Sequence, residues 1–423
     1  MIRRNEIWKI YGTKYKEMTM ELLAATGLAD LIGDRQTRIG IKPNLVTSTP
    51  AQFGATTHPE VVAGIIEYLQ EHGFDNILIA EGSWVGDRTS EAFEYCGYNA
   101  LSREYGVPLV DTQKEKTHDL NCGGMKLKVV DVLDRIDFLI NVPVFKGHCQ
   151  TKITCALKNL KGVIPNSEKR RFHTMGLHKP IAHLNAGIRQ DFIVVDHICG
   201  DLDFEEGGNP VVRNCVMAAV DPVLVDSYVC HMMNYKLNDV PYIRMAEKLG
   251  VGSADLEKLQ ICQLGYGDEN EAEGSDKSGG SKTDDANGAG SSETAGGRSG
   301  GQTHGKKKVI IKRTSVPKES DLPVRHKILE VAYAVDEVDS CSACYGNLIP
   351  ALTRLKEEGL LEMLGTKIAI GQGHRGQTGP LGVGQCTSGY DCSISGCPAE
   401  EDKIYEELKA YILANPRVTE PDM

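Results

Sequence analysis

The segment Ile136–Lys146 reads IDFLINVPVFK. Its apolar residues follow one another without polar alternation and end on a lysine. Such a run predicts a strand buried on both faces, which belongs in a parallel sheet covered by helices. Comparable runs flank it: Arg38–Val46 (RIGIKPNLV), Asn76–Ser83 (NILIAEGS), Asp191–Ile198 (DFIVVDHI) and Cys215–Asp226 (CVMAAVDPVLVD). Helices are expected between them. His58–Gly73 carries Pro59 in its first turn and Gly73 past its end. Thr151–Gly162 places Ile153, Leu157 and Leu160 on one face, with Gly162 as its cap. Beyond an interruption the pattern recurs on a smaller scale: a strand within Lys327–Glu337, a helix at Ala351–Gly365, a strand at Thr366–Gly373 and a helix at Glu400–Asn415. The expected fold is α/β, with a mostly parallel sheet in an N-terminal domain (1–265) and a smaller C-terminal α/β domain (306–423) that bears cysteines. Between them, 271–305 is rich in Gly, Ser and Asp without apolar periodicity, and reads as a disordered insert.

A chain of 423 residues with 41% hydrophobic and 25% charged residues can bury a large core without disulfides. Its formal charge of −11 disfavours general nucleic-acid binding. No apolar run follows the basic N-terminus and no stretch approaches a membrane span, so a cytoplasmic protein without a signal peptide or membrane segment is expected. The 13 cysteines are odd in number and scattered, unlike a small secreted disulfide scaffold.

Five cysteines fall between Ser340 and Pro398: Cys341, Cys344, Cys386, Cys392 and Cys397. Cys341 and Cys344 follow one expected strand, Cys386 lies beyond another, and Cys397 precedes a helix. These positions would gather the thiols at the carboxyl edge of a small parallel sheet, where α/β folds place their sites. Four thiolates there suit a 4Fe–4S cluster, and a helix starting near Glu400 would turn its positive end toward it. Cys341, Cys344, Cys386 and Cys397 are the preferred ligands, with Cys392 in reserve. Zinc is the alternative, although its ribbons pair two close CxxC knuckles and this chain has one. The stretch Gly371–Cys386, GQGHRGQTGPLGVGQC, matches G-x-G-x-x-G, but Pro380 and further glycines follow where a dinucleotide site opens a helix. It reads instead as a strand exit and a loop whose backbone can approach a bulky group, with His374 and Arg375 beside it.

Polar residues recur where the N-terminal strands end: Lys42 and Asn44, Glu81 and Ser83, Lys146 and His148, Asp196, and Asp221. In a parallel sheet they converge on one edge. The stretch 146–180 holds eight basic residues against one acid, Glu168. A basic pocket in an acidic chain suggests a small anionic substrate, with Lys158, Asn159, Arg170 and Arg171 joining Lys42, Asn44, Glu81 and Ser83 as its binding groups. Lys146, His148, His173 and Asp196 are the candidate catalytic residues, the histidines because they titrate near neutral pH. Asp221 and Asp226 read more simply as helix caps.

At these residues the chain resembles the family catalogued as domain of unknown function 362. The likeness lies in KPNLV, AEGS, VPVFKGHCQTKITCALKNLKGVIP with the later FHTMGLHK, IVVDHICGDLDFEEGGNP and AAVDPVLVDSYV, which cover most of 36–235. It implies cysteines that hold iron–sulfur clusters, and names no reaction. Many members carry a ferredoxin-type CxxCxxC module, which this chain lacks. Gly396–Pro398 is similar instead to the cluster-binding small subunit of respiratory complex I. The expected function is therefore an iron–sulfur protein, redox-linked and served by an electron-transfer partner. The alternatives are a non-redox transferase, lyase or isomerase with structural cysteines, and a nucleic-acid-binding protein using the 146–179 basic patch.

Overall fold

A computed structural model of the chain describes residues 1–267, 308–322 and 327–415. The segment 271–305 lies outside them. The central strand Phe138–Val142 is buried along its whole length and sits between parallel neighbours, Ile39–Pro43 and Phe192–Asp201. From Ile39–Pro43 the sheet continues in parallel through Ile77–Glu81 to Leu109–Asp111. On the other side Pro210–Ala219 pairs antiparallel with Phe192–Asp201 and with Glu6–Tyr11. The nine-stranded sheet closes with Gln260–Gly267 and Lys308–Thr314. Its two faces carry separate apolar cores, one around Leu157, Phe172 and Tyr242, the other around Leu23, Ile41 and Ile65.

Local structure departs from expectation in three places. Residues 151–162 do not form one helix. Lys146–His148 and Lys152–Thr154 make a two-stranded hairpin, followed by the short helix Ala156–Asn159 and a 3-10 turn, Leu160–Val163. The helix-like spacing of Ile153, Leu157 and Leu160 holds, but β-branched Thr151, Ile153 and Thr154 favour the hairpin. Secondly, Lys308–Thr314, inside the expected C-terminal domain, is the edge strand of the N-terminal sheet. Its VII run was the available signal. Thirdly, the helix expected from Ala351 begins at Ser342 and runs through Pro350 to Glu357. Proline normally ends a helix, which is why the sequence pattern puts the start after it.

The C-terminal unit is a four-stranded sheet, entirely parallel, in the order Val335–Glu337, Ile368–Ile370, Leu381–Val383 and Cys392–Ile394. Helices Ser342–Glu357 and Glu401–Ala414 pack on it around Leu348, Leu352, Ile404 and Leu408. Cys149 and Phe204 from the N-terminal unit join this core, and Gln150 Nε2 donates to the Ser340 carbonyl at 2.7 Å. The two units are thereby packed edge to edge. No described helix is long and apolar enough to cross a membrane.

Candidate functional site

The parallel strands of both sheets turn their carboxyl ends to one cavity of about 520 Å³. The large sheet contributes Asn44, Glu81, Lys158, Lys161, Lys169 and His173, and the small sheet Cys341, Arg375, Cys386 and Cys397. Trp84, Val46 and Val85 form an apolar wall. This is the location that strand-exit reasoning assigns to a ligand in an open α/β sheet.

Most charges on the large-sheet side are already matched. Lys42 and Glu81, both buried, form an ion pair. Burial pushes the Lys42 ammonium down and the Glu81 carboxyl up, and each partner opposes the shift of the other. Gly162 packs directly on this pair, since a Cβ there would stand 2.3 Å from Glu81 Oε1 and 2.6 Å from Lys42 Nζ. Lys158 is paired with Glu205 and donates to Thr154 Oγ1 at 3.1 Å. Lys169 donates to the carbonyls of Gly82 and Ser83 at 2.9 and 2.6 Å, and burial lowers its pKa to about 8. Asn159 accepts from Asn44 Nδ2 at 2.9 Å and donates to Asn141 at 2.7 Å. Ser83 points away, donating to the Leu45 carbonyl.

The four candidate catalytic residues separate. His173 lines the cavity. Lys146 and His148 lie behind it. Lys146 is fully buried and donates to the carbonyls of Ala55 and Glu205 and to Asn44 Oδ1; burial lowers its pKa to about 8. His148 Nδ1 accepts from the backbone N–H groups of Gln150 and Thr151, both at 3.0 Å. Its proton therefore sits on Nε2, 2.9 Å from Glu205 Oε2. Burial and the Lys158 charge push its pKa down to about 4, so the ring is neutral beside the Glu205 carboxylate. Asp196 is absent from the cavity lining. Its Oδ2 accepts from the His58 backbone N–H at 2.7 Å and lies 2.8 Å from His58 Nδ1, and its Oδ1 accepts from Ile198 at 3.0 Å. Arg170 lines the cavity, whereas Arg171 turns out to Glu168. Asp221 caps the helix Pro222–Met232, and Asp226 accepts from Ala156 and Leu157 at the start of the short helix. Within the basic stretch Lys146, Lys158 and Lys169 are buried, whereas Arg170, Arg171 and Lys179 are exposed.

Sequence reasoning missed Lys161, Lys169, Glu205 and Glu206 as members of the site. The two acids lie in the stretch DLDFEEGGNP, whose lack of periodicity gives no face to assign.

On the small-sheet side, Cys341 caps the sixteen-residue helix Ser342–Glu357 and follows the strand Val335–Glu337. Cys386 follows Leu381–Val383, and Cys397 follows Cys392–Ile394. Cys344, in the first turn of the same helix, hydrogen-bonds Cys341. That bond holds the Cys341 thiol below its ordinary range, with help from backbone amides at the helix start and from Arg375, against the opposing effect of burial. Arg375 hydrogen-bonds the Cys386 sulfur and is attracted to Cys397 and Cys341. Gly384, at φ 91, makes the left-handed turn that glycine favours, and a Cβ there would lie 3.6 Å from Cys344 Sγ. Cys392 is outside the cavity lining; burial and Glu407 raise its thiol. His374 is held by Tyr390 at 2.9 Å and by the Asp336 carbonyl at 3.0 Å.

Comparison with known proteins gives three findings. The chain is 24% identical over 231 residues to the "Thylakoid-associated protein sll1697" of Synechocystis sp., covering 52% of this chain and 70% of that one. Among solved structures, the lactate racemase apoprotein from Thermoanaerobacterium thermosaccharolyticum aligns at a TM-score of 0.34 and 15% identity, over 50% of this chain and about half (53%) of its own. Residues 39–231 match the model of the family described as "Domain of unknown function (DUF362)".

Proposed function

We propose that the chain is an iron–sulfur protein in which Cys341, Cys344, Cys386 and Cys397 hold a 4Fe–4S cluster that serves redox chemistry on a small anionic substrate. The observation that carries this reading is the convergence of three of these thiols on the cavity that also receives Lys161 and His173. The donor set fits. Thiols are the ligands such clusters take, and Cys341 at the helix start lies where its dipole favours thiolate. Their spacing fits zinc less well. A tetrahedral site with bonds of ~2.3 Å holds its sulfurs about 3.8 Å apart. Among the described residues, no three of these sulfurs lie within 4.8 Å of one another. When bound, the cluster supplies one-electron chemistry. The chain's own groups bind and orient the substrate: lysines draw an anion in, the apolar wall excludes water, and Arg375 balances negative charge at the thiolates.

Iron and sulfide content of two variants made without oxygen tests the ligand assignment. Cys386→Ser is expected to lose most of its iron and sulfide, and Cys392→Ser to keep both. The opposite pattern, or equal retention, would remove Cys386 from the ligand set.

A further inference from the structure

Two cationic side chains that line the cavity, exposed Arg170 and half-buried Lys161, have no hydrogen bond or ion pair among the described residues, and one imidazole nitrogen there has unused capacity. Lys42, Lys146, Lys158 and Lys169 are each engaged by a carboxylate or by carbonyls. Among the described residues, Lys161 makes no hydrogen bond and no ion pair. His173 Nδ1 is buried and has no hydrogen-bond partner. An unsatisfied buried polar atom costs about 1–3 kcal/mol, so His173 Nδ1 calls for a ligand, and the half-buried Lys161 ammonium in the same cavity has the charge to hold an anionic one. Glu205 cannot do so, because Lys158 and His148 occupy its carboxylate. The apolar wall lines the same cavity, and there Gly86 packs so closely against the Trp84 ring that a Cβ would meet it at 2.1 Å.

We infer that Lys161 and His173 form the seat for the anionic group of a small organic acid, a carboxylate or a phosphate ester, whose apolar body lies along Trp84 with its far end toward Cys386 and Cys397. The electrostatics agree. Burial and the Lys158 charge lower the Lys161 ammonium to about 7, and burial followed by the Lys161 charge lowers His173 to about 2. A bound anion relieves both desolvation and like-charge repulsion. This inference deepens the proposed function by naming a substrate class, and rests on that reading for its chemistry. The seat itself needs no cluster.

The test is a titration of the full chain with phenylacetate, phenyl phosphate, inorganic phosphate and benzyl alcohol, followed by tryptophan fluorescence and calorimetry on samples of measured iron content. At least one aromatic acid is expected to bind about tenfold or more tightly than benzyl alcohol. Lys161→Met should remove that advantage and leave benzyl alcohol unaffected. Trp84→Leu should weaken the aromatic acid but not inorganic phosphate, a readout that survives if Lys161→Met fails to fold. Lys179→Met, at an exposed position outside the cavity, should change nothing. Equal binding of acid and alcohol, or full affinity in Lys161→Met, would overturn the inference. Anion binding in iron-free protein would sustain the seat while counting against the cluster, so the two readings fail separately.

Discussion

At the carboxyl edge of the large sheet, buried Lys42 meets Glu81 and buried Lys158 meets Glu205. At the corresponding edge of the small sheet, Cys386 is half-buried and Cys397 exposed, and both open onto the same cavity. The first edge neutralises itself, so its charged groups are part of what keeps the fold together. The second leaves donor atoms with capacity to spare, and its residues can be changed at little cost to the fold. Position at a strand exit therefore does not by itself separate scaffold from chemistry. Residual bonding capacity does, and by that criterion Lys161 and His173 group with the cysteines despite belonging to the large-sheet side.

Four substitutions can break or sharpen this contrast, taken from the largest expected loss of stability to the smallest. Lys42→Met leaves the Glu81 carboxylate buried and unpaired, and should cost about 3–5 kcal/mol in denaturant unfolding. A cost under about 1 kcal/mol would show that the pair is not the buried unit described. His58→Gln tests whether Asp196 belongs to the scaffold. Burial alone would lower the His58 pKa, but the Asp196 carboxylate outweighs it and raises it to about 10. A raised folded-state pKa contributes stability that is complete below the unfolded value near 6.5 and disappears as pH rises through about 10. The substitution should thus cost about 1.5–3 kcal/mol at pH 6 and progressively less toward pH 10. A cost that grows with pH would contradict the pairing. Gly162→Ala drives a methyl group into the Lys42–Glu81 pair and should cost about 1–3 kcal/mol, read as a lowered Tm. Cys397→Ser should change the stability of metal-free protein by less than about 0.5 kcal/mol, as a surface change does, while lowering its iron content sharply.

How much of this was readable beforehand depended on range. The parallel sheets were legible because strands such as Phe138–Val142 are apolar throughout, and a strand exit is a local property. The gathering of Cys341, Cys386 and Cys397 followed from the same rule, and so did the placing of Asn44 and Glu81 near one edge, while Lys158 was singled out from the basic stretch. Pairing across the fold was not legible. Nothing near Lys158 announces Glu205, 47 residues away, and nothing near Asp196 announces His58, 138 residues away. These partners exist only once the sheet has brought their loops together. That is also why Lys161 could not be distinguished from its neighbours: all are lysines in one basic stretch, and only the folded chain shows that this one faces the cavity without a partner. The hairpin at residues 146–154 was missed because its apolar spacing also fits a helix, and the helix through Pro350 because a proline in mid-helix runs against the local rule.

The central claim is that the small-sheet edge is completed by an iron–sulfur cluster. Iron, zinc and acid-labile sulfide measured together with the visible spectrum, on the full chain purified without oxygen, test it most directly. The account predicts brown protein with about four iron and about four sulfide per chain, as a 4Fe–4S cluster requires. Colourless protein carrying zinc, or protein free of both metal and sulfide after anaerobic reconstitution, would contradict it.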